Sequence, residues 1–279
     1  MAEKKSVAEI VLRLPDPDEN GMLSKIDKAV VDGVVTELLA GGRDALDDLI
    51  GMLVEPGKGD DSKARYALHC IAVHVCKLDD DNARRRFART LASKLGGDTP
   101  KGVQKYLIQE LQVAGGRGVA ARLGEALLDD ELCEDAAMAL VAIGDGAAEQ
   151  FRKALPKVSG KSKLTVVQNL GAVRDVQSVD ALKQALGDED REVRLAAGWG
   201  LANIGDAGSV DLLVKAAEAK DGYERIQTTK SCLLLAERLA AGGNRNPAVK
   251  VYEHLRRTRK ESDEAYVCEA AEAGLARVR

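Results

Sequence analysis

At 279 residues, with a formal charge of −4, 3% aromatic residues and five cysteines, the chain is long enough for one extended domain or two compact ones. The acidic balance removes the simple case for nucleic-acid binding, and the scarcity of aromatics excludes a base-stacking platform or an aromatic cage. Cys70, Cys76, Cys133, Cys232 and Cys268 are odd in number and scattered through apolar helical sequence, so reduced thiols in a cytoplasmic protein are expected. No apolar run reaches the roughly 20 residues of a membrane span. Met1–Leu14 lacks the continuous apolar core of a signal peptide, and no membrane partner is expected.

Residues 1–21 read as a charged, proline-containing arm or cap. Within it Ala8–Leu14 suits a strand or one helical turn, and Pro15–Gly21 is turn-rich. Residues 22–98 read as divergent helix pairs. The first helix is predicted from about Leu23 to Leu39, through Ile26, Val30, Val34 and Leu38, with Gly41-Gly42 as its stop and Arg43–Val54 as its partner. A second pair is predicted over 62–77 and 82–95. The latter sets Phe87, Leu91 and Leu95 against a charged face of Arg84, Arg85, Arg86 and Arg89.

Residues 99–220 read as a regular array, with helices near 100–113, 117–128, 131–143, 147–155, 161–173, 177–186, 190–204 and 208–219. Pro156 is expected to close or kink its helix, because it lacks a backbone donor and clashes with the preceding turn. Residues 221–279 read as a divergent repeat with capping helices. A long helix runs to about Ala241, a loop spans Asn244–Pro247, and helices follow at Val249–Arg259 and Glu264–Val278.

The array repeats. The stops Ile204-Gly205-Asp206, Val173-Arg174-Asp175, Ile143-Gly144-Asp145 and Val113-Ala114-Gly115 lie 31, 30 and 30 residues apart. Two short helices cannot bury their apolar faces alone, so copies must stack on either side. The predicted fold is all-α: a right-handed α-solenoid of antiparallel helix pairs.

One repeat carries a fuller pattern, D-x-x-V-R-x-x-A-x-x-x-L-x-x-I-G-D, from Asp190 to Asp206. It resembles the short HEAT-like repeat of the phycobilisome-lyase type, on Asp190, Val193, Arg194, Ala197, Leu201, Ile204, Gly205 and Asp206. The resemblance implies that Asp190 caps the first helix of its pair and that Arg194 braces neighbouring turns. It also implies that second helices line a shared surface for partners.

Chemistry is sparse. His69 and His74 stand five apart, which turns them about 140° from each other on a helix. Cys70 and His74 have a four-residue spacing but only two ligands, so helix packing is expected and no metal or cofactor. Gly115-Gly116-Arg117-Gly118 reads as a connector, with an anion-binding turn as the alternative. The predicted second helices carry Arg85, Arg89, Arg122, Arg152, Lys183 and Lys215, taken as the candidate partner-binding residues. The leading reading is a non-catalytic scaffold or adaptor whose partner is another protein. The alternatives are an enzyme or enzyme subunit resembling phycobilin lyases, and a basic groove for nucleic acid. The latter resembles HEAT-type alkylpurine DNA glycosylases in outline but lacks their aromatics, since Trp199 stands alone on a first helix.

Overall fold

The computed structural model describes residues 5–16, 26–78 and 80–278. The expected start of the first long helix at Leu23 and most of the turn at Pro15–Gly21 lie outside the described residues. Among the described residues there is no strand, and no helix is long and apolar enough to cross a membrane. The chain divides into two compact units, Met1–Gln150 and Phe151–Arg279.

The first unit holds α1 (Val7–Val11), α2 (Lys28–Ala40), α3 (Gly42–Gly51), α4 (Ser62–Lys77), α5 (Asp81–Ser93), α6 (Lys101–Ala114), α7 (Arg117–Ala126) and α8 (Cys133–Ile143). The helix α9 (Ala147–Ala154) contains the division between the units. Successive helices pair, and alternate helices stack: α2 on α4, α4 on α6 and α6 on α8 form one layer, α3 on α5 and α5 on α7 the other. The short α1 is a helix rather than a strand. Ser6 and Glu9 close a reciprocal capping box at its start, and Ile10, Val11 and Leu14 are buried. The core is Leu and Ala from the facing stripes, including Leu68, Ile71, Leu91, Leu107, Leu111 and Leu123, each fully buried.

The second unit continues with a 3-10 turn at Leu155–Lys157, then α10 (Gly160–Ala172), α11 (Val179–Ala185), α12 (Arg191–Ile204), α13 (Val210–Ala216), α14 (Gly222–Ala241), α15 (Arg245–Thr258) and α16 (Ala265–Val278). Here α10, α12, α14 and α16 stack in order, and α13 packs on α15. Pro156 ends α9 as expected. The helix α15 begins earlier than predicted, because Pro247 falls in its first turn, where no intrahelical N–H is required.

Close stacking rests on small residues. On α12, Ala196, Ala197, Gly198, Gly200 and Ala202 are all buried. A side-chain carbon placed on Gly171 of α10 would lie 2.5 Å from the Gly200 Cα. Across that contact Asn203 donates from its amide to the Gly171 carbonyl at 2.9 Å and accepts from Arg238 of α14 at 2.9 Å. The stops share a positive φ. Gly144 and Gly205 have φ of 73° and 82°, and Arg174 takes the equivalent place with φ 55° despite its side chain. The turns after Arg174 and Gly205 match, with Asp175 and Asp206 donating back to the Leu170 and Leu201 carbonyls, whereas Gly144 has ψ −64° and Asp145 donates to the Ile143 carbonyl. Ala114 does not repeat this turn. The chain instead leaves α6 through an extended Gly115, where a side-chain carbon would strike the Leu111 carbonyl.

The features expected of the Asp190–Asp206 repeat are present. The Asp190 carboxylate accepts from the Glu192 N–H at 2.8 Å. Arg194 donates to the Asp188 and Glu189 carbonyls at 2.9 and 3.0 Å and pairs with Glu224 of α14.

Candidate protein-interaction site

The basic residues begin on α5. Asp80 caps this helix by accepting from the Asn82 N–H, which fixes its start and therefore the direction of each arginine. Arg85 and Arg89 stand four residues apart and so share one face. That face borders a groove of about 400 Å³ in the first unit, lined also by Asp81, Arg84, Arg117 and Asp145. The exposed Val113 and the half-buried Ile143 supply its apolar floor.

The four arginines of this groove are not equivalent. Arg84 donates to the carbonyls of Ala114, at 3.0 Å, and Gly115, so it is tied to the negative end of α6. Arg117 pairs with Asp145 at 2.8 Å. Among the described residues Arg85 donates only to the Asn82 side chain, at 3.1 Å. Arg89 has no ion-pair partner among the described residues. Of Gly115–Gly118, the first two residues connect α6 to α7, and Arg117 and Gly118 open α7. Gly116 offers no capping side chain to α7, so the positive end of that helix adds to the field of the groove.

The other candidate residues have different surroundings. Arg122 donates to the Leu95 carbonyl and pairs with Glu125, and it does not line the arginine groove. In the second unit, Arg152 pairs with the buried Asp175 at 2.6 Å and Lys183 with Asp206 at 2.9 Å. Each of these aspartates also accepts from a serine hydroxyl three residues on, Ser178 and Ser209 respectively. For Asp206, burial pushes the carboxyl up, but the Ser209 and Lys183 bonds outweigh it and hold the group below the usual carboxylate range. Lys183 and Lys215 border a second groove, of about 610 Å³, together with the exposed Leu212. Lys215 has no ion-pair partner among the described residues.

The pairs recur within each unit. In the first, Lys101 meets Asp129 and Arg117 meets Asp145. In the second, Lys163 meets Asp188, Arg194 meets Glu224 and Arg225 meets Glu264 along one layer, and Arg152 meets Asp175 and Lys183 meets Asp206 along the other. Lysine bonds hold Asp129 and Asp188 below the usual carboxylate range. Part of the basic set is thus engaged in binding one repeat to the next.

A polar cluster in the first unit was missed by sequence reasoning. The Glu110 carboxylate on α6 is buried and lies 3.2 Å from Nδ1 of the half-exposed His69 on α4. Burial pushes the Glu110 carboxyl up, and His69 and Tyr106 only partly offset this. The Arg65 guanidinium stacks over the Tyr106 ring at 4.7 Å. No single-sequence signal links residues so far apart. Among the described residues no group of three or more His, Cys, Asp or Glu is arranged to hold a metal ion.

A family profile described as HEAT repeats matches residues 148–232. The match covers less than a third of the chain and marks HEAT-like repeats there. The HEAT-like architecture also has counterparts among solved structures. The S. pombe condensin Cnd3–Cnd2 subcomplex aligns at 13% identity and a TM-score of 0.50, over 96% of this chain and 41% of that one. The complex of CpcE and CpcF of phycocyanin lyase from Nostoc sp. PCC7120 aligns at 18% identity and a TM-score of 0.42, over 81% and 93%. An engineered protein aligns at 19% identity and a TM-score of 0.45, over 98% and 78%. No curated protein sequence matches the chain. Each unit is a HEAT-like stack of helix pairs.

Proposed function

We propose that this protein is a non-catalytic interaction scaffold, and that cations on the second helices of the pairs, α5, α7, α9, α11 and α13, contact a partner protein. The observation that supports this most is the unequal engagement of those cations. Arg85, Arg89 and Lys215 have no ion-pair partner among the described residues, at the borders of two grooves with exposed aliphatic residues. Arg122, Arg152 and Lys183 stay in the proposed set as a supporting rim, since each already satisfies an intramolecular acceptor. Affinity in such an interface comes from a few desolvated anchors, here the aliphatic floors, while rim charge tunes partner choice and encounter rate.

The test is affinity capture from soluble extract with wild type, an R85E/R89E/K215E variant and an R152E/K183E variant, each first shown to be folded. The scaffold reading expects a protein partner lost from the first variant at unchanged thermal stability. It expects the second variant to lose stability before partner. Capture of nucleic acid in place of protein, lost in the same variant, refutes the reading. So does identical capture by all three proteins.

A further inference from the structure

We infer that the groove bordered by α5 and α7 in the first unit is a docking site for an extended acidic segment of a partner protein bearing an aliphatic side chain. This deepens the scaffold reading and rests on it. The argument is charge complementarity against an opposing background. Residues 1–140 carry 19 basic and 25 acidic groups, a net −6. The groove inverts that sign, with Arg84, Arg85, Arg89 and Arg117 against Asp81 and Asp145. The uncapped start of α7 adds partial positive charge at one end.

The inversion selects the ligand. A small positive concavity within an acidic unit focuses the field on a short stretch of anion and repels whatever extends past it. A polynucleotide continues its charge at every step along its backbone and meets that repulsion. A peptide concentrates its carboxylates in a few residues and continues neutrally, so it gains the attraction alone. The floor adds a second criterion. Val113 is 40% exposed although it faces the groove, and Ile143 beside it is half-buried. One aliphatic side chain of the ligand would cover both, while carboxylates on either side reach the forks of Arg85 and Arg89, which bind such groups in two-pronged fashion. Arg84 and Arg117 act as fixed walls, because their own acceptors hold them in place.

The experiment uses the full chain and two fluorescein-labelled probes: a short Glu- and Asp-rich peptide with one central leucine, and a single-stranded oligonucleotide of equal charge. Binding is read by fluorescence anisotropy in low and moderate salt. The expected result is peptide binding that weakens at least about tenfold in R85E/R89E and in the milder R85Q/R89Q, and is unchanged in K58E, a reversal at an exposed lysine outside the groove. Replacing the leucine with serine is expected to weaken it again. Circular dichroism and melting of the glutamine variant exclude misfolding as the cause. Equal binding by wild type and R85Q/R89Q overturns the assignment, as does the absence of peptide binding. Tighter oligonucleotide binding with the same arginine dependence reassigns the groove to nucleic acid. Partner capture that depends on Lys215 but not on Arg85 and Arg89 leaves the scaffold standing and removes this groove from it.

Discussion

Replacing Gly171 with alanine is expected to destabilise the protein, although glycine in a helix is normally the poorer choice. Alanine in a helix interior is favoured over glycine by about 1 kcal/mol. At Gly171 the new carbon would sit 2.5 Å from the Gly200 Cα and 3.1 Å from the Trp199 ring. Neither backbone can give way alone, so α10 and α12 must separate by roughly 1 Å to reach ordinary contact. Overpacking of this kind costs about 1–3 kcal/mol. Separation also strains the buried bond from Asn203 to the Gly171 carbonyl, worth about 1 kcal/mol. The net effect of Gly171→Ala is a loss of roughly 1–3 kcal/mol, or a fall of several degrees in Tm at about 2–4 °C per kcal/mol. Gly33 on α2 is the internal control. It is exposed, and a side-chain carbon there meets nothing within 4 Å, so Gly33→Ala is expected to gain up to about 1 kcal/mol. Urea titration of both variants beside wild type measures the pair. A Gly171→Ala protein as stable as wild type would show that the α10–α12 contact does not depend on the missing side chain.

Arg259 is 1% exposed, donates to the Ala217 carbonyl and to Thr229, and shares Glu264 with Arg225. Arg259→Ala strands buried acceptors and leaves a cavity, so a loss of about 3 kcal/mol or more is expected in equilibrium unfolding; a loss under 1 kcal/mol would contradict the bracing role. His254 is buried, and burial pushes its pKa below the ordinary 6.5 despite the opposing pull of Glu218. Its proton is therefore bound more tightly in the unfolded chain, and stability is lost as the pH falls from about 6.5 through the lower folded-state value. His254→Gln is expected to flatten part of the acid-side fall in Tm between pH 7.5 and 5.5, and identical fall in both proteins would refute this assignment.

The helix pairs were legible because the apolar stripes and stops recur in step, and both depend on local spacing. Pro247 was misread as loop because proline forbids a helix interior but suits a first turn, and sequence alone does not say which position it holds. The same limit applies to the site. The four-residue step from Arg85 to Arg89 gave their shared face, but what lies opposite, Arg117 and Ile143, depends on how α7 and α8 stack. A signal for Arg152 and Lys183 was present and unused. Asp175 lies 23 residues after Arg152, and Asp206 follows Lys183 at the same interval. An acid recurring at a fixed distance from a cation in successive repeats marks a contact between repeats. His69 and Glu110 had no such periodic support.

The ion-pair series has a direction. In these pairs the cation stands upstream in the chain and the acid downstream, in the following repeat, whereas Lys94 with Asp47 and Lys250 with Asp211 run the other way. A repeat cut from such a series is like a tongue-and-groove board: it ends in an unmatched acid on one edge and an unmatched cation on the other. Set in tandem with its copy, the two edges close on each other. In-frame duplication of one repeat length of the gene would therefore yield a longer array with each new joint already matched in charge. Excision of the same length would heal for the same reason. A shift of the break point within the repeat would not alter this, because each acid is carried by the repeat that follows its cation.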